Sequence, residues 1–253
     1  MRGSLPAVMV LVCSASCAVE STQRPNVVFI FSDQQHYQAM GFVDDFYDTP
    51  NIDALAEASV VFEHSFVTTP QCSPSRSSIM TGLYPHKTGM MNNQGAAGGT
   101  ELALPTIGKR MQDGGYLTAF MGKWHLGEWL PEHLPMGQGF THQYGHYGWG
   151  IDYFTKTIVH NAPARFAVYD WHRNQKPIRE EGYATDLFAA EAERVIATPA
   201  PEMAKPFLPF APFPAAPGSP TPPPASPRGN HARLAIRHSL LHAHAHRPAP
   251  TPR

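Results

Sequence analysis

The run VVFIF at residues 27–31 is continuously β-branched and aromatic, with no polar residue alternating through it. A strand with one wet face alternates; a strand without alternation is covered on both faces, as in a parallel sheet between helices. The run stops at Ser32-Asp33-Gln34-Gln35. Open α/β sheets bind ligands at the carboxyl ends of their strands, so this polar cluster marks a candidate site. Tyr116 to Met121 reads as a further strand, with Gly122-Lys123-Trp124-His125 at its end. Both clusters are expected on one edge of one sheet. The fold class is α/β.

Helical spacing fills the intervals. Thr49-Pro50-Asn51 opens a helix through Ile52, Leu55 and Ala56, with Thr49 as cap and Pro50 at the first position. Val60 to Phe62 reads as a short strand. Ser75 to Thr81 reads as a helix closed by Gly82, and Leu104 to Gln112 as a helix ended by Gly114-Gly115. Residues 92–100 form a glycine-rich loop. The stretch 126–183 has weak periodicity and much Gly, His, Tyr and Trp, which suits long loops around a site. Tyr183 to Ile196 is the last helix, with Leu187, Phe188, Glu191 and Val195 in amphipathic order.

The ends of the chain differ from its middle. MRGSLPAVMVLVCSASCAVES has a positive start at Arg2, an apolar core from Leu5 to Val12 and a small-residue cleavage site at Ser16-Cys17-Ala18. Residues 1–18 are therefore expected to be a signal peptide, with a core too short to span a bilayer, and the protein to be secreted or periplasmic. Cleavage after Ala18 would leave Cys72 as the one cysteine, although export favours disulfides. More than half of the chain's 26 prolines fall in 198–253. That tail is expected to be disordered, and its prolines to be unable to supply central strands. The folded part is then 24–197. A net charge of −1 with 15% charged residues gives no footprint for nucleic acid.

Four stretches, RPNVVFIFSDQQ, TPNIDALAEASVVFEHSF, CSPSRSSIMTGLYPHKTGM and GYLTAFMGKWHLG, resemble the type I sulfatases of the alkaline phosphatase superfamily. Cys72-Ser73-Pro74-Ser75-Arg76, followed by Thr81-Gly82, fits the C-x-P-S-R-x-x-x-x-T-G signature of that family. The resemblance implies an alkaline-phosphatase-like, mostly parallel sheet flanked by helices, and hydrolysis of sulfate esters. It implies that Cys72 is converted to Cα-formylglycine by a formylglycine-generating or anaerobic sulfatase-maturating enzyme. The hydrated aldehyde would be the nucleophile. Asp33, Gln34 and modified Cys72 would hold Ca²⁺ or Mg²⁺, the hard cations that oxygen donors suit. Arg76 would lie one helical turn from the nucleophile, where the start of the helix also presents N–H groups to an anion. Lys123 would contact a sulfate oxygen, and His125 the gem-diol. Two residues apart at a strand end, they are expected on the same side.

The chain departs from the family in two places. Asp33-Gln34 stands where many members have two aspartates, which keeps phosphonate monoesters and phosphodiesters open as substrates. Family members are also longer. Their second half supplies a Pro-His segment, an Asp-Asn or Asp-His metal pair and a second lysine. Here LPFAPFPAAPGSPTPPPASP stands instead, the kind of change that a shifted reading frame or an altered terminus produces. On that basis the sheet is expected to be incomplete and turnover weak or absent, with an inactive secreted fragment as the remaining alternative.

Overall fold

The computed structural model describes residues 24–33, 35–93, 101–158 and 168–197, together with the backbone of 207–213. The expected leader, Gln34, most of the glycine-rich loop and most of the proline-rich tail lie outside the described residues.

Six strands make one mixed sheet: β1 (Phe29–Ser32), β2 (Leu117–Lys123), β3 (His142–His146), β4 (His172–Arg173), β5 (Lys176–Pro177) and β6 (Phe207–Phe213). Their spatial order is β1-β6-β2-β3-β4-β5. The pairs β1–β6, β6–β2 and β2–β3 are parallel, whereas β3–β4 and β4–β5 are antiparallel. The five α-helices described are α1 (Pro50–Glu57), α2 (Cys72–Thr81), α3 (Pro85–Thr88), α4 (Ile107–Asp113) and α5 (Ala184–Ala197).

The core lies on both faces of β2. Phe120 joins Met80, Leu102, Trp124 and Phe140 on one face, while Ala119 and Met121 join Tyr144, Trp171 and Phe188 on the other. Successive side chains of a strand point oppositely, so one uninterrupted run serves two cores. Trp124 is fully buried, edge-on to Phe120 at 5.0 Å, and its Nε1–H donates to the carbonyl of His133 at 2.9 Å. On the second face α5 presents Ala184, Phe188 and Glu191, one stripe of its helix.

α2 has a less obvious reason to be buried, since half of its residues bear hydroxyls. Ser73, Pro74, Arg76, Ser77, Ser78 and Met80 are nevertheless all buried. The hydroxyls of Ser77 and Ser78 donate to the Pro74 carbonyl, and that of Thr81 to the Ser77 carbonyl. These hydroxyls are thus hydrogen-bonded within the helix, which offsets the cost of covering them. Gly82 ends it at φ 73°, as expected for a left-handed cap.

The structure corrects several expectations. Residues Val60 to Phe62 form no strand, and Val60 and Phe62 are exposed. The expected helix Leu104–Gln112 begins only at Ile107, because Thr106 caps it by accepting from the Lys109 N–H. Thr49 precedes α1, but its hydroxyl links the Gly41 N–H to the Asp53 carboxylate instead of capping the helix. Among the described residues, the stretch 126–183 contains three strands. One of them, β3, approaches β2 closely at the Gly122–Gly145 pair, where a Cβ on Gly145 would lie 2.3 Å from the Gly122 carbonyl oxygen. The proline-rich tail supplies β6, a central strand, so the folded part does not stop at 197. Successive residues of a strand aim their N–H groups at alternate neighbours. Pro209 and Pro212, three apart, therefore remove one donor from each flanking ladder, and the remaining pairs carry the strand.

Candidate active site

The carboxyl ends of β1 and β2 and the start of α2 converge, in line with the two polar clusters of the sequence. Asp33 follows β1, Cys72 opens α2, and Lys123 ends β2. Arg76 is four residues into α2, on the same face as Cys72. Its guanidinium donates to Asp33 Oδ2 at 3.1 Å and to the carbonyl of Lys123 at 2.5 Å, and it lies over the ring of Phe31 at 5.3 Å. Lys123 Nζ reaches the same Asp33 Oδ2 at 2.9 Å and the Cys72 sulfur at 3.3 Å.

Two cations therefore share one carboxylate, and one positive charge is left beside the thiol. Arg76 is 4% and Lys123 6% exposed, so water screens that charge weakly. Burial alone would raise the Asp33 carboxyl, but Lys123 and Arg76 outweigh it and hold it below its ordinary value. Burial also lowers the Arg76 guanidinium, against the pull of Asp33 and Cys72. Such a group is preorganised for an anion whose oxygens gain charge during reaction.

His125 enters differently from its expected place. β2 ends at Lys123, and His125 turns to φ 56°, so simple strand alternation does not set its direction. His125 is 2% exposed, and its backbone N–H donates to the carbonyl of Tyr147 at 2.9 Å. The structure thus brings Asp33, Cys72, Arg76 and Lys123 together, and fixes His125, two residues beyond Lys123, by its backbone bond to Tyr147. One further expectation is modified: the Ser73 N–H at the head of α2 is taken by Asn93 Oδ1 at 3.0 Å.

Sequence reasoning missed the layer behind this edge. Asp170, 5% exposed, accepts from the N–H groups of Tyr147 and Gly148, and lies 3.2 Å from His172 Nδ1 and 4.0 Å from His146 Nδ1. Burial lowers His146, with Lys123 and Arg76 adding to the effect. No spacing could reveal these contacts, because Asp170 is brought to β3 by a hairpin that itself lacked a pattern.

A family model described as Sulfatase matches residues 25–226. The chain belongs to the sulfatase family. It is 32% identical over 182 residues to the N-acetylglucosamine-6-O-sulfatase of Bacteroides thetaiotaomicron, covering 70% of this chain and 29% of that one. It is 28% identical over 211 residues to the arylsulfatase of Klebsiella aerogenes, covering 78% and 45%. The crystal structure of Ps i-CgsB in complex with k-i-k-neocarrahexaose superposes with a TM-score of 0.63 at 30% identity, over 78% of this chain and 46% of that one. This sulfatase chain spans less than half the length of these relatives. Its fold is that of the type I sulfatases of the alkaline phosphatase superfamily. The likenesses lend no support to the phosphonate alternative.

Proposed function

We propose that this chain is the nucleophile-bearing part of a sulfuric ester hydrolase acting on sulfated carbohydrate or aryl sulfate. The observation that carries the reading is the Cys72 sulfur 3.3 Å from Lys123 Nζ, with Lys123 and Arg76 converging on Asp33. A sulfate ester is an anion, and here a buried cluster with one uncompensated positive charge lies against the nucleophile position.

Position 72 would act as Cα-formylglycine, formed from the thiol by a maturating enzyme before or during folding and export. One hydroxyl of the hydrated aldehyde attacks sulfur, the S–O bond to the alcohol breaks, and the alcohol leaves with a proton. The second hydroxyl then gives up its proton, the carbon–oxygen bond to the sulfate group breaks, and the aldehyde returns. Lys123 and Arg76 stabilise the charge on the sulfuryl oxygens, and His125 takes the second hydroxyl's proton. General acid–base help of this kind is worth about 10²–10⁴ in rate.

A divalent ion, Ca²⁺ or Mg²⁺, belongs to this reading. Among the described residues, however, no three carboxylate, imidazole or thiol groups come together to hold one. Asp33 offers a single carboxylate already shared by two cations, and position 72 would add only the oxygens of its hydrated aldehyde, well short of the roughly six to eight that Ca²⁺ takes. These donors do not amount to a hard-cation shell, so each step above is carried by the chain's own residues. The reading also takes the protein as secreted or periplasmic. Among the described residues no helix is long and apolar enough to cross a membrane.

Cys72→Ser tests the reading. A serine has one hydroxyl, so an aryl sulfate should sulfate it and the ester should persist, visible as a sulfated peptide spanning residue 72 by mass spectrometry. The matured wild-type peptide should show carbonyl oxygen in place of sulfur and no lasting sulfate. A retained thiol after co-expression with a maturating enzyme, and no sulfation of the serine variant, would overturn it.

A further inference from the structure

We infer that Asp170 is a positioning residue that holds His125 in its left-handed turn through the backbone at Tyr147 and Gly148. The inference rests on the sulfatase reading for the role of His125, but its geometry stands alone. A non-glycine residue at φ 56° persists only where its surroundings over-determine it. For His125 the restraint is a chain of hydrogen bonds. Beyond the last β2–β3 pair, Lys123 with His146, the two segments keep bonding. The Trp124 N–H donates to the His146 carbonyl at 3.0 Å, and the His125 N–H to the Tyr147 carbonyl at 2.9 Å. The acceptor segment is itself past the end of β3 and needs an anchor. Asp170 is that anchor. Its two oxygens each accept from the Tyr147 N–H at 3.1 Å, and Oδ2 accepts from the Gly148 N–H at 2.7 Å.

The anchor is fixed in turn. The Asp170 N–H donates to the carbonyl of Lys156 at 2.9 Å, and His172 Nδ1 lies 3.2 Å from Oδ1 while its ring stacks on Tyr147 at 4.4 Å. Burial alone would raise the Asp170 carboxyl, but His172, His146 and the two backbone donors hold it below its ordinary value. An ionised carboxylate accepts at both oxygens, which the neutral amide of asparagine cannot do. Lys123 contacts position 72 directly, and Arg76 reaches the same cluster through Asp33; Asp170 acts one layer behind, on the residue that must move a proton.

Amide hydrogen exchange on the full chain tests this. In Asp170→Asn the amides of Trp124 and His125 should exchange at least tenfold faster, while those of Phe120 and Met121 in the middle of β2 are unchanged. Asp170→Glu, which keeps the charge but shifts the acceptor, should give the same local pattern and guards against misfolding of the first variant. In matured protein, Asp170→Asn should lower the rate of aryl sulfate cleavage about tenfold with KM unchanged, and should cost nothing further in a His125→Ala background. Unchanged exchange at Trp124 and His125, or equal losses in both backgrounds, would overturn the inference. If matured wild type cleaves no sulfate ester while the exchange pattern appears, the functional reading falls and the positioning stands.

Discussion

The two sides of the sheet are built to different standards. On the β2–β3 side, Trp124, Phe120, Tyr144, Trp171 and Phe188 are fully or almost fully buried between α2 and α4 on one face and α5 on the other. On the β1 side, α1 has no buried residue, Phe29 and Ile30 of the edge strand are exposed, and so are Phe46, Val60, Phe62 and Phe66. The site straddles the divide. Arg76, Lys123 and His125 come from the packed side and Asp33 from the open one. The cations and the nucleophile are therefore set by core packing, whereas the carboxylate is held chiefly by the ion pairs it makes with them.

Three measurements can break or sharpen this contrast. The largest effect belongs to Trp124→Ala, which empties the packed face directly beneath Lys123 and His125. It should cost about 3–5 kcal/mol in denaturant unfolding, within the range for deleting a buried indole. A loss under about 1 kcal/mol would mean that the two sides are equally loose.

Glu191 comes next, on α5 behind β3. Burial alone would raise its carboxyl, but Arg194, His142 and Arg173 bring it from 4.5 down to about 2. A carboxyl lowered by folding stabilises the native state above its unfolded value and loses that contribution as pH falls through its folded one. Stability on the packed side should therefore decline between about pH 4.5 and 2. Glu191→Gln should flatten that decline and cost about 2 kcal/mol at neutral pH, since its partner Arg194 is half exposed and screened. Thermal melts across that pH range on both proteins decide it.

The smallest effect is expected on the open side. Leu55 on α1 is exposed, so Leu55→Ser should change stability by less than about 0.5 kcal/mol. A loss above about 1.5 kcal/mol in the same unfolding assay would show that α1 is covered after all.

Much of the site is legible in the linear chain. The apolar runs ending at Asp33 and Lys123 announce strands delivering polar groups to one edge, and the spacing of Cys72 and Arg76 places both on one helical face. The β3 strand is not legible, since HQYGH offers neither β-branched residues nor alternation, and its closeness to β2 depends on two facing glycines. Nor is β6, whose prolines argue against the central position it takes. Asp170 carries no local signal of any kind.

What the sequence determined by itself is therefore local: where buried strands run, where helices cap and stop, and which chemical groups sit at their ends. Period, capping and steric preference act over a few residues, and a linear reading recovers them. Tertiary structure alone decided which carboxylate meets which cation, that a proline-rich segment completes the middle of the sheet, and that a buried aspartate far along the chain steadies His125. Those outcomes depend on pairing and burial between distant segments, where the favourable contact lies outside any window of neighbouring residues.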